Sequence, residues 1–271
     1  MKTYFVHYLI KLKNDLKNVS KTIYGKNMKI GKYVIGFSNS KRIELFFERN
    51  LQLSGFEQVE AINGKAMPFS LTLRLFKKDF VDHQLSRNSA SWLQGTLGCL
   101  LSHIKAIEQA QNDDVDYALI VEDDAVFRAT PDEIFVVARN QNYDIVYIND
   151  RMSLDRLFLV NGEYTISDLT ASNLKGTGAE AYIVSRKAMP VLLDLFTSAI
   201  ANGLPCGYDG FLQSIVLKQS DYEKTPNALD DRPGKKGLLK WLAFRKIDLN
   251  VGVSSPTLVK HVDDGKSLIR D

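Results

Sequence analysis

Two cysteines in 271 residues, Cys99 and Cys206, are too few for a disulfide framework and fit no metal-ligand spacing. No run of 18 or more apolar residues occurs, so no membrane-spanning helix is predicted. The opening MKTYFVHYLIKLKN has too short an apolar stretch and no small-residue cleavage site, so it does not read as a secretory signal. No P-loop occurs, and no Gly-x-Gly-x-x-Gly follows a predicted strand, which leaves ATP and dinucleotide chemistry without support. Internal repeats and low-complexity tracts are absent as well. What remains is 45% hydrophobic and 25% charged, enough for one large domain with a sizeable core. A cytoplasmic location is expected.

The net charge of +3 is unevenly spread. Residues 1–32 hold eight lysines against the single acid Asp15, so this segment carries +7 and the remainder −4. It reads as a basic N-terminal appendage to a domain spanning 33–271. A second basic stretch, RPGKKGLLKWLAFRK at 232–246, interleaves cations with Leu238, Leu239, Trp241, Leu242 and Phe244. That mixture suits an anionic membrane surface; it equally suits a surface helix with one face on the core and its lysines in water. Neither segment carries a nucleic-acid-binding motif and the rest of the chain is acidic, so no nucleic-acid partner is expected.

Hydrophobic periodicity gives a coarse order of elements. YVIGF (33–37) reads as a strand, Arg42–Ser54 as a helix stopped by Gly55, and FEQVEAI as a strand entering a turn at Asn63-Gly64. Residues 65–94 follow no clear pattern, whereas 96–111 places Leu97, Leu100, Leu101, Ile104 and Ile107 on one helical face. Then come YALIV (117–121) as a buried strand, PDEIFVVARN as a helix with Pro131 in its first turn, and YDIVYI (143–148) as another strand. AEAYIVS (179–185) is a strand, RKAMPVLLDLFTSAI a helix interrupted at Pro190, and 207–219 a helix entered through a glycine turn. Strands alternating with helices predict an α/β sheet with covering helices.

VEDDAVF (121–127) sets three consecutive acids, Glu122, Asp123 and Asp124, directly behind the YALIV strand. Ligands of open α/β sheets bind beyond the carboxyl ends of strands. Carboxylates so crowded are best tolerated around a divalent cation, and Mg²⁺ or Mn²⁺ held by one or two of them together with substrate phosphates is a common arrangement. On spacing alone a solvated loop or a helix cap explains the same residues.

The passage GTLGCLLSHIKAIEQAQNDDVDYALIVEDDAVF (95–127) resembles the central region of glycosyltransferase family 25, whose members include bacterial lipooligosaccharide galactosyltransferases and collagen hydroxylysine galactosyltransferases. FEQVEAINGK (56–65), GTGAEAYIVSRKAMPVLL (176–193) and PTLVKHVDDGKS (256–267) resemble further blocks of that family. After the first strand this chain departs from the family's pattern, with Gly36-Phe37-Ser38 and then Lys41-Arg42. The resemblance implies a GT-A-like fold with a mixed, mostly parallel sheet, and inverting transfer of a hexose, commonly galactose from UDP-galactose. It places the metal on Glu122 and Asp124, with Asp123 sharing the ion or reaching the ribose. Inversion needs a base for the acceptor hydroxyl. Asp209, between two glycines at a predicted helix start, is the first candidate, although capping that helix explains it as well. Asp150 is the second.

His103 and Ser102 are expected to shape the donor pocket, with Gly95 and Gly98 permitting close backbone approach. A lone histidine on such a helix is otherwise a packed core residue. His261 is a candidate third metal ligand, and Lys266 and Ser267 are candidate diphosphate contacts; a surface loop explains all three too. The expected partners are a nucleotide-sugar donor, a lipid-linked oligosaccharide acceptor and an anionic membrane surface met through 1–32 and 232–246. Together these predict a peripheral enzyme on the inner face of the cytoplasmic membrane. The other readings are a degenerate, non-catalytic binding module and a metal-dependent phosphate-ester hydrolase, the latter short of the His-rich or multi-aspartate set of a two-metal centre.

Overall fold

The computed structural model describes residues 28–149, 165–169, 178–216, 247–255 and 257–262. The predicted basic stretch at 232–246, Asp150, Lys266 and Ser267, and residues 1–27 of the predicted appendage lie outside them.

Strand β1 (Ile30–Gly36) leads through Ser40, whose hydroxyl caps the next helix by accepting from Ile43 N, into α1 (Lys41–Arg49). Next are β2 (Phe56–Glu60), a 3₁₀ turn (Gly64–Ala66), α2 (Phe69–Leu75), α3 (Lys78–Leu85) and the long α4 (Ala90–Asn112). Strand β3 (Tyr117–Glu122) and the short β4 (Ala125–Phe127) precede α5 (Asp132–Asn140), β5 (Ile145–Tyr147) and β6 (Thr165–Asp168). The order closes with β7 (Ala181–Ser185), α6 (Ala188–Asn202), α7 (Tyr208–Val216), β8 (Val251–Ser255) and β9 (Val259–His261).

Seven strands form one sheet in the order β2-β1-β3-β7-β5-β8-β6. The β2/β1/β3 and β5/β8 pairs are parallel; β7 runs antiparallel to β3 and β5, and β6 antiparallel to β8. Five strands therefore point one way and two the other, the mixed α/β sheet that the alternating pattern predicts.

Successive side chains on a strand face opposite ways, and here both faces are covered. Ala118 and Ile120 of β3 pack with Leu97, Leu100 and Ile107 of α4 and with Phe196 and Phe211 of α6 and α7. Tyr117, Leu119 and Val121 pack with Phe46 of α1 and with Ile134 and Phe135 of α5. The same alternation sends Glu122 toward the α4 face of the sheet.

Four predicted boundaries shift. Strand β1 begins at Ile30, ahead of YVIGF. Helix α1 ends at Arg49 instead of Ser54, because the buried Asn50 turns away to donate to Phe46 O and Ala125 O and to accept from Phe127 N, tying the helix end to β4. Helix α4 starts six residues before the predicted segment, capped by the Ser89 hydroxyl, which accepts from Trp92 N. Pro190 does not interrupt α6; it sits in the first turn, where its missing N–H has no intrahelical partner to lose.

A second, two-stranded ribbon pairs β4 with β9, Ala125 opposite His261. It is anchored through Leu258 N and Val259 N, which both donate to Ile148 O, and through Val262 N, which donates to Asp124 O. This ribbon carries His261 to the end of β3. Among the described residues no helix is long and apolar enough to cross a membrane.

Candidate active site

A cavity of about 410 Å³ opens beyond the carboxyl ends of β1 and β3. Its walls are the β1 end at Gly36, the turn at Asn63-Gly64, the α4 face at Cys99 and His103, and the three acids at and just past the end of β3. A larger cavity, about 640 Å³, lies at the opposite end of the sheet, where the charges neutralise one another: Lys187 binds Asp144 at 3.0 Å and Arg186 binds Asp116 at 3.2 Å. The smaller cavity holds the concentrated charge.

The three acids divide between two environments. Asp123 and Asp124 are both buried, and the Arg42 guanidinium bridges them, Nη2 lying 2.9 Å from Asp123 Oδ1 and 2.8 Å from Asp124 Oδ2. His261 Nδ1 lies 3.4 Å from the same Asp124 oxygen and 3.9 Å from Glu180 Oε1. Burial pushes the Asp124 carboxyl up, but hydrogen bonding and charge from His261 and Arg42 outweigh it and hold the group below the usual carboxylate range. Glu122 goes the other way. Burial chiefly, then repulsion from Asp124, Asp209 and Asp123, raises its pKa well above the ordinary value against the opposing pull of Arg42.

Glu122 Oε1 lies 3.2 Å from His103 Nε2, and His103 Nδ1 is 3.1 Å from the Tyr182 hydroxyl, which bonds the Tyr208 hydroxyl at 2.7 Å. The imidazole also stacks on the Tyr208 ring, centroids 4.0 Å apart. Burial pushes the His103 pKa down to about 3, with the Asp209 charge opposing, so the ring is neutral at physiological pH. A folded-state pKa below the unfolded value of about 6.5 means that the unfolded chain binds the extra proton first. The stability this contributes is complete above pH 6.5 and is lost as pH falls toward 3, while the raised Glu122 acts in the opposite sense. Urea unfolding of His103→Gln should therefore show a shallower loss of stability than the wild type between pH 6.5 and 3, and parallel profiles would contradict a buried neutral imidazole.

The model of glycosyltransferase family 25, described as an LPS biosynthesis protein family, matches residues 29–207, about two thirds of the chain. The chain belongs to glycosyltransferase family 25. No curated protein matches it in sequence. Among solved structures it is similar to a glycosyltransferase involved in glycosylation of the major capsid of PBCV-1, with 10% identity, 89% of this chain and 95% of that one covered, and a TM-score of 0.35. It is also similar to the apo-form glycosyltransferase GlyE of Streptococcus pneumoniae TIGR4, with 12% identity, 83% and 45% covered, and a TM-score of 0.32. Mouse xyloside xylosyltransferase 1 is 12% identical, with 88% and 86% covered and a TM-score of 0.32. The protein is a glycosyltransferase on the strength of the family match.

Within this family 25 site the structure redistributes the residues that the sequence singles out. Gly95, Ser102 and His103 line the cavity beside the acids. Gly98 permits close approach, but of protein backbone: an added Cβ would lie 2.6 Å from Gly64 N and from Ile62 O. Ser102 accepts from Ile62 N at 2.8 Å and donates to Gly98 O at 2.7 Å, so it pins the turn after β2 against α4. Asp209 stands in the first turn of α7, and its charge acts on Glu122, His103 and Tyr147.

The donor set fits a hard divalent cation at one place. Asp124 Oδ2 and His261 Nδ1, 3.4 Å apart, are spaced as neighbouring ligands of one ion can be, with Glu180 Oε1 3.9 Å from the same His261 nitrogen. Arg42 now supplies the positive charge there.

Four residues of this neighbourhood escaped the sequence reading: Arg42 as the partner of the acids, Glu180, Tyr182 and Tyr208. Glu180 is 2% exposed at the mouth of β7. An acid heading a run as apolar as AEAYIVS is the signal that could have found it.

Proposed function

We propose that this glycosyltransferase moves a hexose, galactose from UDP-galactose, with inversion onto a saccharide of a lipooligosaccharide or lipopolysaccharide acceptor. The observation that carries this reading is the placing of Glu122 and Asp124, at and just past the end of β3, in a cavity beyond the carboxyl ends of parallel strands, with His261 of the distant β9 brought to 3.4 Å from Asp124. The family 25 match supports sugar transfer; the galactosyl donor and the acceptor follow from the sequence resemblance.

A divalent cation, Mn²⁺ or Mg²⁺, held by Asp124 and His261 with Glu122, would stabilise charge on the departing diphosphate. The protein's own groups do the rest. Arg42 is placed to exchange an aspartate for a donor phosphate, since guanidinium binds either bidentately. Asp209, in the first turn of α7, takes the proton of the acceptor hydroxyl. The neutral His103 holds the Glu122 side chain against the pocket wall. Asp150 is the alternative base, and Lys266 and Ser267 are the proposed diphosphate contacts. The basic segments 1–32 and 232–246 bring the enzyme to the inner face of the cytoplasmic membrane, where a lipid-linked acceptor would be presented.

Calorimetric titration with UDP-galactose tests the donor site. Binding should require Mn²⁺ and should weaken at least roughly tenfold in Asp124→Ala. Silence of the wild type across a panel of nucleotide sugars would overturn the reading.

A further inference from the structure

Cys99 and His103 lie four residues apart on α4, one turn along the same face, and Glu122 ends β3 on the side of the sheet that α4 covers. One ligand atom from each of the three lies within 4.8 Å of the other two. Cys99, His103 and Glu122 all border the 410 Å³ cavity, so an ion can reach them from solvent. His103 is already oriented as a ligand is: Nδ1 is engaged by the Tyr182 hydroxyl, Tyr182 is held by Tyr208, and Nε2 is directed at Glu122. Outer partners of this kind fix tautomer and ring orientation in metal-binding histidines.

We propose that Cys99, His103 and Glu122 form a site for a zinc-class divalent ion, separate from the Asp124–His261 pair.

Thiolate, imidazole and carboxylate together favour Zn²⁺ over Mg²⁺ or Mn²⁺, which prefer all-oxygen or mixed oxygen sets. The surroundings also favour a cation, because the charged groups acting on Cys99 are the acids Glu122, Asp209, Glu180 and Asp124. Tetrahedral zinc bonds of about 2.0–2.3 Å put neighbouring donors roughly 3.6 Å apart, so the set must close by about 1 Å, within the reach of side-chain rotation. On binding, a metal–sulfur bond replaces the S–H bond and the thiol proton leaves to solvent. Three protein donors leave a fourth position facing the cavity. An ion there takes Glu122 away from any other role and should act as an inhibitor of sugar transfer.

The test uses Co²⁺ as a coloured substitute on the full chain under reducing conditions, and it does not depend on activity or on the identity of the donor. The wild type should develop a thiolate-to-cobalt charge-transfer band saturating at one equivalent, and Zn²⁺ should abolish it by displacement. Cys99→Ser, nearly isosteric, should lose the band; Glu122→Gln should weaken cobalt binding at least roughly tenfold; Cys206→Ser should keep it. No band in a folded wild type, or a band that survives Cys99→Ser and disappears in Cys206→Ser, would overturn the proposal. A protein that binds UDP-galactose with Mn²⁺ and yet gives no cobalt band would reject this site while leaving the transferase reading standing.

Discussion

Asp209→Asn should lower kcat by roughly 10²–10⁴-fold, the usual contribution of a general base, while leaving metal-dependent binding of UDP-galactose within about twofold. The substitution preserves size and shape and removes the capacity to take a proton together with the negative charge that acts on Glu122 and His103. Asp209 is the second residue of α7, past the N-cap position, so what it lends the helix is a carboxylate charge near the N-terminus, which asparagine gives up. Asp209→Ala removes the same charge and should cost about as much stability as asparagine does, at most about 1 kcal/mol. Steady-state kinetics at saturating donor, with urea denaturation of both variants, separate the two roles. An asparagine variant with wild-type kcat would remove Asp209 from the chemistry and move the assignment to Asp150.

Arg42→Ala should destabilise the protein by about 3–5 kcal/mol, the usual consequence of removing one partner from a buried ionic group. The guanidinium stands between two carboxylates that are each less than a tenth exposed, so its loss leaves Asp123 and Asp124 facing each other in a medium that screens poorly. Chemical denaturation reads the loss directly. Adding Asp123→Asn and Asp124→Asn to Arg42→Ala should restore part of it, because replacing a whole buried ionic group is far less costly than breaking it. The effect should depend on pH with a definite sign. Asp124 has a lowered folded-state pKa, so the stabilisation is complete above the unfolded carboxylate value of about 4 and is lost as pH falls below it. Stability curves of Arg42→Ala and the wild type should therefore converge in acid. If alanine costs less than about 1 kcal/mol at pH 7, Arg42 is no counter-ion to the acids.

The elements that could be read from the sequence were those with long, unambiguous patterns. YALIV is apolar without interruption because β3 is buried on both faces, and α4 repeats its apolar positions through most of 23 residues. Helices α2 and α3, seven and eight residues long, complete about two turns each and cannot establish a period. The three-residue β4 shows itself only through its pairing with β9 and its capture by Asn50. The site divides in the same way. Glu122, Asp123 and Asp124 stand out as adjacent letters, whereas their environments are set by residues far along the chain. Arg42 reaches Asp124 across 82 residues, and His103 differs from a packed core histidine only because β3 ends beside it. Local pattern finds the acids; tertiary pairing decides which carboxyl pKa is lowered and which is raised.

The β4–β9 ribbon bears on how the protein is made. Synthesis is vectorial, at about 5–20 residues per second, and His261 follows Asp124 by 137 positions, so roughly 7–27 seconds separate the two in translation. Over that interval β1, β2, β3 and α4 can assemble with the acidic cluster present and Arg42 already available to neutralise it. Strand β8, which must slot in beside β5, and the histidine that follows it are still to come. The nascent enzyme thus passes through a long stage in which its scaffold is largely built and its proposed ion-binding centre incomplete, with an arginine serving as the interim counter-charge.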